Sequence, residues 1–305
     1  MTKQLIPDLC AQDFPAVCRA ADQASGRNQR LYLWLVRLNL GLLITGATFD
    51  LLADSGSGYS HALSVSSVIL FALSILAAFF LQSLAPDSAW FAGRSIAESV
   101  KTRAWRYMTC AEPYQSSLEG READSRFLSD LNQIIAEKRS LAWTLATADL
   151  AEPQITESMR HLRSETVQTR LAAYLSCRIR DQRKWYSGRA TSNRRAQIRW
   201  FFYAFASQAA ALVAAILRVS HAESWPNLTG VLSAAAAACI AWMQIKRYRE
   251  LAQSYALAAH ELGLIEEKAR NVSTEAEIAS FVTDSENAIS REHTMWVARR
   301  DVSVL

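Results

Sequence analysis

The sequence predicts an all-α integral membrane protein: four transmembrane helices whose long helical extensions form a cytoplasmic bundle. The first observation is the stretch His61–Ala85, HALSVSSVILFALSILAAFFLQSLA, which carries no ionisable side chain after its first residue. That exceeds the roughly 20 residues a helix needs to cross a bilayer core of about 30 Å. The second is that three further apolar segments, Trp34–Ala53, Trp200–Leu217 and Trp225–Ile245, have comparable lengths. The third is the placement of Lys and Arg: none lies between Leu38 and Gly93, and Arg94, Lys101, Arg103 and Arg106 follow at once. By the positive-inside bias the first short connector is outside and its flanks are inside.

Average composition hides this pattern, because 50% hydrophobic and 20% charged residues over 305 positions resemble a soluble protein. The apolar residues are gathered in four blocks and the charges fill the intervals. A net charge of +4 gives no case for a nucleic-acid binder from the whole molecule. Cys10, Cys18, Cys110, Cys177 and Cys239 are an odd, scattered set with neither a disulfide framework nor zinc-site spacing, which fits a reducing setting. The N-terminal stretch lacks the apolar core of a secretory signal, so insertion is expected to rest on the first span.

Taken in order, Leu5–Ser25 holds Pro7, Pro15 and apolar residues at helical spacing, which predicts one or two short amphipathic helices. Arg27, Arg30 and Arg37, with Tyr32 and Trp34, mark the inner end of span one. Within that span Asn39, Leu43, Gly46 and Asp50 recur at steps of four, three and four, hence on one stripe. The charge pattern then repeats. Arg189, Arg194, Arg195 and Arg199 precede span three, and Lys246, Arg247 and Arg249 follow span four. Both termini and the middle of the chain are therefore expected in the cytoplasm.

The repetition reads as an internal duplication, with Trp90, Arg94 and Glu98 after span two answered by Trp242, Lys246 and Glu250 after span four. Between the halves the sequence is helical in composition, with Pro153 the clear breaker. Downstream of it, one helix of about fifty residues is expected from Ile155 into span three, loosened at Ser187–Gly188. The last helix is expected to start at a capping box, Thr274 with Glu277, and to run to about Arg300.

Three segments together resemble a known family: WFAGRSIAESVKTRAWRYMTCAEP, RIRDQRKWYSGRATSNRR and FVTDSENAISREHTMWVARR. They are similar to tandem members of the SLATT class, two-transmembrane effector domains associated with bacterial nucleotide-signalling conflict systems. The resemblance covers nearly the whole chain, as one domain over 1–150 (spans about 34–53 and 61–85) and a second over 151–305 (spans about 200–217 and 225–245). It implies a multi-pass effector of the bacterial inner membrane that oligomerises and permeabilises or depolarises the membrane when triggered. A nucleotide second messenger or a sensor protein is an implied partner. The competing expectation is a non-conducting scaffold that docks a partner through its cytoplasmic bundle.

Two groups of residues are candidates for function. Asn39, Gly46 and Asp50, with Gln208 in span three, could line an aqueous path, or Gly46 and Asn39 could simply pack and hydrogen-bond to a neighbouring helix. Arg94, Arg178, Arg183, Lys184, Arg194, Arg195, Lys246 and Arg247 are candidate cytoplasmic contacts for anionic lipid or a phosphorylated ligand. The run Arg178–Arg199, with Trp185 and Tyr186 among its cations, also admits nucleic acid, though no sequence-specific partner of that kind is expected. No catalytic, cofactor or metal site is expected. His260-Glu261 lacks the second histidine of HExxH, Ser290-Arg291-Glu292-His293 scatters its groups around a helical turn, and there is no glycine-rich phosphate loop.

Overall fold

The computed structural model describes residues 9, 11–54, 58–137, 152–220 and 226–301, the side chains of 11 and 291–301 excepted. Among them every regular element is helical, and four helices are long and apolar enough to cross a membrane. They are α1 (Ala16–Asp54), α2 (Ser60–Leu84), α3 (Pro86–Met108), α4 (Gly120–Glu137), α5 (Glu157–Ser164), α6 (Val167–Tyr174), a π-helical stretch (Leu175–Arg180), α7 (Asp181–Ser220), α8 (Thr229–Lys246), α9 (Tyr248–Lys268) and α10 (Glu275–Asp301). The chain forms two compact units, Arg30–Pro86 with Gly188–Tyr255, and Met1–Gln29 with Asp87–Ser187 and Ala256–Leu305. Helices α1, α7 and α9 each contribute to both.

The first of these units holds the membrane helices. On α2 the buried positions are Ser67, Ser74 and Ala77, a seam of small residues, while Val68, Ile75 and Phe79 point away from the protein. Without a hydrophobic drive inside lipid, helix association relies on close approach and on hydrogen bonds. Both are present. A Cβ on Gly46 of α1 would stand 3.0 Å from the Phe71 ring of α2, and the Ser67 hydroxyl donates to the Gly46 carbonyl at 3.0 Å. Farther along, Ser74 donates to Asn39 Oδ1 at 2.7 Å. Other hydroxyls turn back on their own helices, Thr45 to the Gly41 carbonyl, Thr48 to that of Ile44 and Ser66 to that of Ala62, each at 2.8 Å.

Where α2 and α8 end, the backbone turns into the left-handed region without a glycine: Ala85 has φ 39°, followed by Pro86, and Arg247 has φ 47°. Arg247 donates its backbone N–H to the Met243 carbonyl at 2.9 Å, closing α8 before α9 begins. The two ends are alike, but the expected residue correspondence does not follow the structure. Trp90 lies beyond the bend, on α3, whereas Trp242 lies before it, on α8.

The second unit is a helical bundle with an ordinary water-soluble core. Ala123, Phe127 and Leu131 of α4 fall four apart and are buried against Tyr107, Met108 and Tyr114, with rings 5.1 to 6.0 Å apart. Trp105 of α3 meets Tyr174 of α6 edge to face at 5.4 Å. The beginning of α1 lies close against α3: a Cβ at Gly93 would come within 3.0 Å of the Ala21 carbonyl oxygen, and Ser25 donates to the Trp90 carbonyl at 3.0 Å.

Several expected boundaries move. The helices foreseen over Leu5–Ser25 are replaced, within the described residues, by a 3₁₀ turn at Ala11–Asp13 and the first turns of α1, which runs unbroken into span one. The long helix after Pro153 starts twice, because Thr156 and Thr166 each cap a new one by accepting N–H bonds from Met159 and Thr169. From Val167 it then continues to Ser220, 54 residues. Its irregularity is the π stretch at Leu175–Arg180, and α7 is regular through Ser187–Gly188. The capping box of α10 forms as its spacing requires, with Thr274 N–H donating to Glu277 at 3.0 Å and Glu277 N–H to Thr274 Oγ1 at 3.3 Å. Residues 138–151 of the middle, and Trp225 at the start of the expected fourth span, lie outside the described residues.

Candidate functional site

At the centre of the bundle sits an ion pair that neither water nor lipid reaches. Arg178 is 1% exposed and Glu286 is 0% exposed. The guanidinium grips the carboxylate with two parallel bonds, Nε to Oε1 at 3.0 Å and Nη2 to Oε2 at 2.9 Å. Tyr174 donates to Oε1 at 3.0 Å and Thr102 to Oε2 at 2.7 Å, so four donors meet one carboxylate. The third nitrogen, Nη1, faces Glu98 at 3.6 Å. Glu98 in turn receives Arg94 at 2.9 Å and Lys101 at 3.8 Å.

Burial works against the charge on Arg178, but the adjoining Glu286 carboxylate more than offsets it and holds the guanidinium protonated. The Tyr174 hydroxyl is pushed well above its ordinary range by burial and by the same carboxylate. This node occupies the π stretch, where an extra residue per turn re-aims the side chains. On either side of it the same long helix is tied to other elements: Arg170 pairs with Glu275 of α10, and Arg180 and Arg183 share Glu266 of α9, each at 2.6 Å. Those two arginines hold the Glu266 carboxyl below its usual range, the Arg180 bond being the main cause. A cavity of about 30 Å³ lined by Arg94, Thr102, Tyr186 and Ile289 adjoins the node, the room of a single water and too little for a nucleotide.

Of the expected cytoplasmic contacts, Arg178 is therefore corrected: it is buried, with Nε and Nη2 bonded to Glu286 and Nη1 facing Glu98, so a surface ligand does not reach it. Arg94 and Arg183 are partly committed to Glu98 and Glu266. Lys184, Arg194 and Arg195 are exposed and have no carboxylate partner among the described residues. Arg247 pairs with Glu250 within its own turn, and Lys246 lies 5.8 Å over the Trp242 ring.

In the membrane unit, Asn39 is bonded to Ser74 and Gly46 is packed under Phe71, whereas Asp50 and Gln208 are exposed on the outside of the unit. These four residues do not come together. Arg37, one turn into span one, lies 5.1 Å over the face of Trp242, whose ring is 6.0 Å from that of Trp200. This cation–π contact lowers the expense of a guanidinium at the membrane boundary. The same contacts set Arg37, Trp200 and Trp242 at one level of the unit.

The residues missed in the sequence are Glu286, Tyr174 and Thr102. A signal was present for the first: Ile278, Val282, Glu286 and Ile289 follow one another at steps of four, four and three, so a glutamate occupies a core position of α10. Ser290 is exposed and lines the same cavity, and the side chains of Arg291, Glu292 and His293 lie outside those described. No group of three or more metal-ligating side chains converges among the described residues.

Comparison with protein families gives two matches. The model of the SMODS and SLOG-associating 2TM effector domain 3 matches residues 15–171, and that of domain 1 matches residues 174–296. No curated protein and no solved structure matches the chain. Arg178, Tyr174 and Glu286 fall in the second matched domain, and Thr102 and Glu98 in the first, so the buried node knits the two together within the bundle. The chain thus belongs to the SMODS and SLOG-associating two-transmembrane effectors, the SLATT family, and carries two such domains in tandem.

Proposed function

We propose that this protein is an effector of a bacterial conflict system that oligomerises in the inner membrane and permeabilises or depolarises it when triggered, with both termini in the cytoplasm. The observation that carries this is the tandem match to two effector domains, each contributing two apolar helices. The membrane unit of one copy supplies little polar lining. Asn39 is satisfied by Ser74, the Gly46 carbonyl accepts from Ser67, and Asp50 and Gln208 lie on the outer surface. A conduit would therefore be built between copies, where outward-facing polar groups of neighbouring subunits meet.

The test is induction in bacterial cells carrying a potential-sensitive dye, with and without infection as the trigger, followed by dye release from liposomes holding the purified protein. Loss of potential in cells and release from liposomes support the reading. Cells that stay polarised at high expression through infection, with tight liposomes, would leave a scaffold that docks a partner.

A further inference from the structure

We infer that the segment of α7 leading into span three is a binding site for acidic phospholipid, with Arg194, Arg195 and Arg199 holding the phosphate headgroup and the phenylalanines one to two turns on lying along its acyl chains. Charge distribution within the membrane unit comes first. The unit contains ten Lys and Arg and four Asp and Glu. Nine of the cations and only one carboxylate, Glu250, belong to the end marked by Trp200 and Trp242, while Asp50, Asp54 and Glu223 belong to the other end or its connectors. From Gln182 to Ala222 there is no acidic residue at all. An excess of this size at one level calls for an anionic partner.

The geometry of the helix then selects the kind of anion. Arg194, Arg195 and Arg199 are exposed and form no ion pair among the described residues. Arg195 precedes Trp200 by five residues, about 7.5 Å at a rise of 1.5 Å per residue, against about 5–7.5 Å for the headgroup layer outside the hydrocarbon core, and Arg194 stands one residue farther out. Arg195, Ile198, Arg199, Phe202 and Phe205 fall on one face at helical spacing, and Arg194, Ile198, Phe201 and Phe205 on the adjoining one. Phe201, Phe202 and Phe205 are 62%, 63% and 61% exposed, so the apolar continuation of each basic stripe is bare. A cation followed one to two turns later by an uncovered aromatic ring matches a molecule with a phosphate at one end and a hydrocarbon tail at the other. Nucleic acid or a free phosphate would use the arginines alone, whereas a phospholipid engages the arginines and, with its tails, the phenylalanines that continue the same faces into the span.

The test of this site does not depend on the proposed membrane-perturbing activity. Full-length protein in detergent is titrated with phosphatidylglycerol and with phosphatidylcholine, and bound lipid is counted by native mass spectrometry. Phosphatidylglycerol is expected to be retained at least tenfold better, and R194Q/R195Q/R199Q to weaken it about a hundredfold, since each basic contact is worth close to a factor of five to ten. R121Q/R126Q/R270Q, three exposed arginines of the bundle, is expected to change nothing, and R194K/R195K/R199K to restore most of the preference. If the glutamine variant does not fold, the wild-type preference and its loss in high salt carry the test. Equal retention of the two lipids, unchanged retention in the folded glutamine variant, or full displacement of lipid by millimolar glycerol phosphate would each overturn the assignment, the last by pointing to a soluble phosphate ligand.

Discussion

Removing Arg178 while leaving Glu286 is the most informative single perturbation of the bundle. In Arg178→Met the Glu286 carboxylate stays fully buried with Tyr174 and Thr102 as its remaining donors, and Glu98, previously 3.6 Å from the guanidinium, faces it without an intervening cation. Breaking one side of a buried ion pair costs about 3–5 kcal/mol, because the surviving charge keeps its desolvation penalty and loses its attraction. At about 2–4 °C per kcal/mol for a domain of this size, the melting temperature in detergent should fall by roughly 6–20 °C. Glu286→Gln should cost less, since Arg178 can turn to Glu98. Replacing both, as R178M/E286L, substitutes apolar packing for two buried charges and should recover most of the loss, so that the two single effects fail to add by about 3 kcal/mol. The assay is thermal unfolding followed by circular dichroism, with native hydrogen exchange on α10 as a second probe. An Arg178→Met protein that melts within 2 °C of the parent, or single effects that simply add, would refute the claim that this pair is sealed inside the bundle.

Three further outcomes are expected. Gly93→Ala should destabilise the bundle by about 1–3 kcal/mol, because the added Cβ meets the backbone of α1 rather than a movable side chain, as a denaturant midpoint would register. Cys18, whose thiol burial pushes up to about 11, should resist alkylation at pH 8 until the protein is unfolded, by peptide mapping; with its folded pKa raised, the stability it adds is complete below about pH 9 and is lost as pH rises from there to about 11. Glu277 is held at about 2, first by the Ser273 backbone N–H and then by that of Thr274, so its support for the start of α10 is present above its ordinary range and disappears as pH falls through it toward 2; hydrogen exchange at that helix start should rise over the same window and be insensitive to it in Glu277→Gln.

Much of this architecture was legible in the residues because the bilayer imposes a severe pattern: apolar runs, aromatic ends and a one-sided excess of arginine admit few other arrangements. The capping box at Thr274 and Glu277 was legible for a similar reason, since two backbone donors must be met within one turn. What escaped the sequence depends on contacts between distant segments. Thr166 restarts the expected fifty-residue helix at Val167 through a local cap, its hydroxyl taking the Thr169 N–H that a continuous helix would have turned to a backbone carbonyl. Arg178 looked like one more member of a basic run, and only its meeting with Glu286, 108 residues away, takes it out of reach of solvent. The residue correspondence between the halves failed because the bend at Ala85 and that at Arg247 stand on opposite sides of the tryptophans used to align them.

The central claim is that four helices cross a membrane with the bundle and the arginine-rich ends on the cytoplasmic face, and topology labelling addresses it most directly. Single cysteines at Gly58, at Asn227 and at Gly120 of an otherwise cysteine-free chain are exposed, in intact spheroplasts, to a maleimide that cannot pass the membrane. Labelling at 58 and 227 without lysis, and at 120 only after it, is the predicted result. Labelling at 120 in intact spheroplasts, or at 58 and 227 only after lysis, would contradict the account.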